Sequence, residues 1–417
     1  MGIRGGFTLM EIVQPILGLC IFIGITFAFS RDHQKVLPRR IIVGITAQFV
    51  IAFLLLRVSF VSDGLMALNS VVSVLQSATD RAAQYMFGYV AGGPAPFDVA
   101  SAENSFIIAF QVLPLILVVT VLSALLFHFG ILSFFVELIG KGLKRAFGLS
   151  GALGLGAAAT IFFGTIEAPL VIKPYLNRLS RGELLALIVC SMSTIAGSVI
   201  ILYASVLEQT LPGALQHLLT ASLISVPAAL TLAHIFSPTA DSDLDVSGIP
   251  RSNKTWIEAL LDAVDDAVRM IISIVAIIIV LFAFIYLLDD LLTLLNPNLS
   301  IGVIFGFVLR PIMWLVGFDW DKAMLAGELM GTKIFLNEFV SYLALADVTS
   351  FTAKETIVIA YSLCGFANIA SCGIIIAGLV AILPERRKEV VDVTFTALIL
   401  GNVATLMTGC VVSLILW

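Results

Sequence analysis

The chain has 417 residues, of which 59% are hydrophobic and 12% charged, with a formal net charge of −5; its mean hydropathy is +1.08. A soluble domain carries about 25% charged residues, so this composition excludes an ordinary soluble fold and predicts a polytopic membrane protein. No basic patch combines with aromatic platforms, which leaves nucleic-acid binding without support. Cys20, Cys190, Cys364, Cys372 and Cys410 fall inside apolar runs at spacings that match no zinc site or disulfide framework, and read as packing residues.

Residues 12–29 read as a first span, too long and without a small-residue cleavage site to be a removable signal. A basic loop with Arg31, Lys35, Arg39 and Arg40 follows, then a second span at 41–60. Residues 64–95 predict an amphipathic interfacial helix ending in a Gly92-Gly93-Pro94 turn. A third span covers about 105–130, and 133–147, with Glu137, Lys141, Lys144 and Arg145, reads as interfacial.

The apolar run at 148–176 is different, because Glu167 and Pro169 stand near its middle. Each half is about a dozen residues, too short to cross about 30 Å of hydrocarbon. A re-entrant helical hairpin fits, since irregular backbone at membrane depth survives only against protein or a watery cavity. Spans at 183–207 and 212–236 come next, the first with a small, polar centre. The stretch 237–255 reads as a hydrophilic linker, 256–269 as amphipathic, and 270–288 as a span closed by Asp289-Asp290.

Residues 300–318 again read as interfacial, and 320–346 as a second hairpin, carrying Lys333 and Glu338. A span at 352–381 is interrupted at 365–371, and 390–415 is the last. Glu167 precedes Ser193 by 26 residues and Glu338 precedes Asn368 by 30. The order of interfacial helix, acidic hairpin, interrupted helix and plain helix thus occurs twice, and interrupted segments in matching positions point to a transporter site. The fold expected is all-α, with about eight transmembrane helices, two re-entrant hairpins and interfacial helices in an inverted repeat. Positive loops at 31–40, 141–145, 178–181 and 386–388 belong in the cytoplasm, which puts the N-terminus outside and brings the hairpins in from opposite faces.

A carboxylate inside an apolar run costs about 2.5–3.5 kcal/mol on insertion scales, so Glu167 and Glu338 mark a site. With Asn368 and Ser371 they offer acceptors and donors suited to a neutral polyhydroxylated solute. Lys333 has no assigned role at this stage. The competing readings are a cation-coupled importer of another small polar solute, such as a nucleobase, modified nucleoside or dicarboxylate, and a membrane enzyme using the two acids, which no metal motif or nucleophile pair supports; no organic cofactor is expected.

At Gly331-Thr332-Lys333, Asn337-Glu338-Phe339-Val340, Gly365-Phe366-Ala367-Asn368, Glu167-Ala168-Pro169-Leu170 and Ser193–Val199, the sequence resembles the concentrative nucleoside transporter family over roughly 105–415. The resemblance implies a homotrimer in a bacterial inner membrane, importing nucleosides with sodium or protons by elevator-like sliding of a transport domain on a scaffold. It implies four regions: scaffold spans over 1–132, a first transport repeat over 133–236, linker and scaffold span over 237–290, and a second repeat over 291–417. Glu338, Asn368 and Ser371 would bond the ribose, with Phe366 lining the same pocket. Thr165, Ile166, Glu167 and Val199 would face the base. A sodium site would use Thr160, Phe163, Thr194 and Ile195. Two departures stand out. The family's common Gln-Thr-Glu is Thr165-Ile166-Glu167, which shortens one base contact and makes another apolar. Its usual sodium-side Asn is Thr160, which leaves proton coupling through Glu167 as an alternative.

Overall fold

The computed structural model describes residues 9–98, 107–238, 249 and 255–416, with backbone alone at 9 and over 59–70. The described residues are helical throughout, without a strand. Helices α1 (Leu9–Ala28), α2 (Pro38–Arg57) and α3 (Ser59–Phe87) open the chain. A short 3-10 segment and a left-handed Gly92 close α3, where the Gly-Gly-Pro turn is expected. Residues 105 and 106 of the third span lie outside the described residues. The rest of that span is interrupted: α4 (Ile108–Gln111) gives way to α5 (Pro114–His128). Pro114 starts the new helix, because proline lacks the N–H a continuing helix needs but suits a first turn.

Then come α6 (Ile131–Phe147), α7 (Gly151–Ala159) and α8 (Glu167–Val171). Helices α7 and α8 form the first hairpin, with residues 160–166 as its tip. The returning arm is short, and Pro174 helps turn it into a 3-10 helix over Lys173–Arg178. The expected span at 183–207 is two helices, α9 (Arg181–Ser193) and α10 (Gly197–Leu207), followed by α11 (Ala214–Phe236). Ser180 and Glu183 cap α9 reciprocally. Glu183 also accepts from the Ser150 hydroxyl at 2.6 Å, which ties the start of hairpin 1 to the start of α9.

The linker at 237–255 lies almost wholly outside the described residues. Beyond it the sequence expectation needs correction. The amphipathic 256–269 and the span 270–288 are one continuous 40-residue helix, α12 (Trp256–Leu295). A Thr255–Glu258 capping box starts it, and nothing stops it before Asn296-Pro297. Asp289-Asp290 lie within it, since two carboxylates do not break a helix, and Asp289 Oδ1 accepts from the Ile301 N–H at 2.7 Å. It therefore also overruns the expected region boundary at 290.

The second repeat holds α13 (Ile301–Val316), α14 (Trp320–Phe335), α15 (Glu338–Ala346), α16 (Ala353–Leu363), α17 (Ile369–Ile382) and α18 (Arg387–Ile415). Helix α13 folds back along α14 with a bend of 114°. Among the described residues, seven helices are long and apolar enough to cross a membrane, or eight if that bent pair is one span. The interrupted 352–381 segment, two helices of 11 and 14 residues, is not among the seven.

Helices α9, α11 and α18 pack on one another as the inner bundle. The apolar windows of the α9–α10 and α11 spans are each 89% buried within the chain, whereas that of α12 is 0% buried. Helix α12 is an outer element that touches α5 and α13.

The two helix breaks meet at the centre. The Phe366 N–H donates to the Thr194 carbonyl at 3.3 Å, and the Gly197 N–H donates to the Phe162 carbonyl of the first hairpin tip at 3.0 Å. Gly365 permits this approach: a Cβ there would lie 2.8 Å from the Met192 carbonyl oxygen. Gly365→Ala is expected to cost about 1–3 kcal/mol through overpacking against rigid backbone. Gly373→Ala, where a Cβ meets nothing within 4 Å, should leave stability unchanged or slightly raised. Thermal unfolding in detergent checks the contrast.

Candidate functional site

Between the two hairpin tips lies a cavity of about 300 Å³, at the small end of the range of about 300–1,000 Å³ for ligand pockets. Hairpin 1 contributes Gly164, Thr165, Ile166 and Glu167, and hairpin 2 contributes Asn337, Glu338 and Phe339. The broken helices supply Val199, Phe366, Asn368 and Ser371. All eight residues expected at a solute site therefore face one space.

Glu338 is the first residue of α15 and only 3% exposed. Its Oε1 accepts from the Tyr203 hydroxyl at 2.6 Å, and its Oε2 accepts from Asn368 Nδ2 at 3.0 Å. Hydrogen bonds to a charged group are worth about 1.5–3 kcal/mol net, so two of them offset much of the cost of burial. A carboxylate has about four lone-pair sites, so beyond its bonds to Tyr203 and Asn368 the group retains capacity to accept from a solute hydroxyl. Asn368 has two tasks. It caps α17, its Oδ1 accepting from the Ser371 N–H at 2.7 Å, while its amide nitrogen holds Glu338.

Glu167 departs from the expectation of a buried acid. Its side chain is exposed to the cavities, and its Oε2 accepts from the Gly164 N–H at 3.0 Å. It also lines a second cavity of about 450 Å³, which continues past Ser198 and Met270 towards α5 and the start of α12. Ile166 seats itself against α17, where a Cβ on Gly378 would come within 2.6 Å of it.

The four expected sodium-site residues stand beside the cavity rather than in its wall. Thr194 Oγ1 donates to the Thr160 carbonyl at 2.9 Å, and Thr160 Oγ1 donates to the Ala157 carbonyl at 2.8 Å. Thr160, Thr194 and Ile195 are buried, and Ser222 of α11 accepts from the Ile195 N–H at 3.3 Å. Phe163 lies on the second cavity, edge-on to Phe127. This set is neutral and built of oxygens, and both hydroxyls keep lone pairs, so its chemistry fits a hard cation without demanding one.

Sequence reasoning missed Tyr203, Leu202 and the wall made by Met270, Ile274, Ile277 and Ile278 of α12. A tyrosine in the middle of an apolar span was a usable signal, because its hydroxyl must find a partner when buried. The α12 wall had none, since an apolar stripe on an outer helix reads as a lipid face.

Three family models cover the chain in order. They are the Na+ dependent nucleoside transporter N-terminus over residues 17–90, nucleoside recognition (Gate) over 109–210, and the Na+ dependent nucleoside transporter C-terminus over 217–413. The Nucleoside permease NupC of Helicobacter pylori is 31% identical across 96% of each chain. The chain belongs to the concentrative nucleoside transporter family. An uncharacterized transporter of Haemophilus influenzae is 30% identical, covering 97% of this chain and 98% of that one. The solved structure of CNTnw in an inward-facing substrate-bound state aligns at TM-score 0.89 and 26% identity, over 97% of this chain and 99% of that one. An outward-facing CNTnw structure aligns at the same TM-score of 0.89. The concentrative nucleoside transporter fold, of the elevator type, is thus present nearly end to end.

Tyr203→Phe would leave Glu338 Oε1 without its donor. A hydrogen bond to a charged group is worth about 1.5–3 kcal/mol net, or roughly 10- to 150-fold. Nucleoside affinity by calorimetry should fall within that span, while assembly and membrane insertion stay normal.

Proposed function

We propose that this protein imports nucleosides by cation symport through the cavity between the hairpin tips. The observation that carries the reading is the meeting of both tips and both helix breaks around one pocket with a clamped carboxylate. Family membership supports cation-coupled nucleoside transport as the activity.

In this reading Glu338 accepts from ribose hydroxyls, with Asn368 and Ser371 completing the polar end and Phe366 packing on the sugar. Thr165, Ile166, Glu167 and Val199 face the base. Thr165 is shorter than glutamine and Ile166 offers no hydrogen bond, so base recognition leans on shape and on Glu167. Thr160, Phe163, Thr194 and Ile195 would hold sodium, which supplies a positive charge joining hairpin 1 to the break of α9–α10. Protonation of Glu167 is the other way to bring in that charge, and its exposure to both cavities suits proton exchange.

Residues 1–132 with α12 act as scaffold, and the two repeats within 133–236 and 291–417 act as the moving body. The α12 residues on the first cavity, Met270, Ile274, Ile277 and Ile278, are apolar, while Asp262 and Asp266 nearer the start of α12 line the second cavity with Glu167. The protein works as a homotrimer in the inner membrane with its N-terminus outside, as the family resemblance and the charge bias of the loops suggest.

Uptake of labelled uridine and adenosine into proteoliposomes tests the proposal. Saturable uptake that rises with an inward sodium or proton gradient is expected. Uptake of neither nucleoside under either gradient would overturn it. Glu338→Gln should retain assembly but lose at least about 1.5–3 kcal/mol of binding, roughly 10- to 150-fold in affinity.

A further inference from the structure

Lys333 takes no part in the cavity, yet it is fully buried in the last turn of α14. Its ammonium donates to Thr405 Oγ1 of α18 at 2.9 Å and to the Ser362 carbonyl at 3.3 Å. Ser362 sits in the last turn of α16, which stops at Leu363 because the chain breaks there. The final carbonyls of a helix have no partner inside it. Here the Tyr342 hydroxyl donates to the Ala360 carbonyl at 3.0 Å, and the Cys364 N–H donates to the Tyr361 carbonyl at 3.2 Å. Lys333 takes the next carbonyl.

A hydroxyl could cap that carbonyl at far lower cost, because burying an ammonium costs several kcal/mol. What only the ammonium adds is charge. Helix C-termini carry partial negative charge, and Glu338, the next ionisable residue along the hairpin, follows five residues after Lys333.

The first repeat has the same construction without the lysine. Helix α9 stops at Ser193 beside α7, as α16 stops beside α14. Helix α7 reads GALGLGAAA and carries no charge. Its helix-end partner is Thr194, whose hydroxyl bridges the Thr160 and Cys190 carbonyls at 2.9 and 3.0 Å.

We propose that the Lys333 ammonium is a tethered cation. Between hairpin 2 and the end of α16, it holds the place that a mobile coupling cation takes between hairpin 1 and the end of α9. The comparison rests on reading Thr160 and Thr194 as that mobile cation's site. The positive charge of the second repeat then travels with the protein, balances Glu338, and is never exchanged. Only the first repeat trades its cation with solvent in each cycle.

The test is nucleoside binding by calorimetry on assembled protein, in choline chloride with sodium or methylammonium added at constant ionic strength. Lys333→Ala should bind about tenfold or more weakly in choline. It should then recover at least about threefold on adding methylammonium, which refills the vacated place, beyond any gain methylammonium gives the wild type. Lys333→Gln keeps length and hydrogen-bond donation but not charge, and should be equally weak. Thr194→Val serves as the distinguishing control. If it keeps wild-type sodium dependence, the first-repeat cation site is wrong, while rescue of Lys333→Ala by methylammonium would still support a cation place in the second repeat. Wild-type affinity in Lys333→Gln would overturn the proposal. So would an assembled Lys333→Ala that methylammonium does not restore, or failure of both variants to assemble in any of the three salts. Assembly only when sodium or methylammonium is present would support it.

Discussion

The structure depends on a carboxylate held in an apolar interior by donors from two different helices. Glu338 belongs to hairpin 2, Tyr203 to α10 and Asn368 to α17. One side chain therefore ties the second hairpin to both broken helices, one from each repeat. Without those donors the carboxylate would be an unpaired buried charge. With them it is fixed in direction and still has lone pairs to offer.

The helix breaks make this possible. An unbroken helix would satisfy its own backbone and have nothing to give at the membrane's centre. Here α9 and α16 stop midway, and their ends are completed from elsewhere: by Phe366 on Thr194, by Ser222 on Ile195, and by Lys333 and Tyr342 on α16. The close approach at Gly365 lets the breaks lie against each other, so both repeats build a single pocket. Among the described residues, α12 closes the side of that pocket with the apolar Met270, Ile274, Ile277 and Ile278.

Much of this was legible in the sequence, because charge inside an apolar run is expensive and therefore informative. Glu338, Asn368 and the two hairpins stood out on that ground, and the structure gathers them around one cavity. Glu167 stood out equally, but its exposure could not be read, since sequence gives the cost of burying a charge and not the shape of a cavity. The length of α12 was missed because hydropathy divides a helix that changes surroundings, while capping and the lack of a breaker keep it whole. Tyr203 was passed over because an aromatic residue among leucines and isoleucines looks like packing until its hydroxyl is asked where it bonds.

The most direct measurement is a double-mutant-type cycle on the ribose hydroxyls. Calorimetry would compare uridine with its 2′-deoxy and 3′-deoxy analogues on wild type and on Glu338→Gln. The account predicts that losing a ribose hydroxyl costs the wild type about 1.5–3 kcal/mol, and that most of this penalty disappears in the variant. An equal penalty in both proteins would mean that Glu338 does not touch the sugar, and would contradict the account.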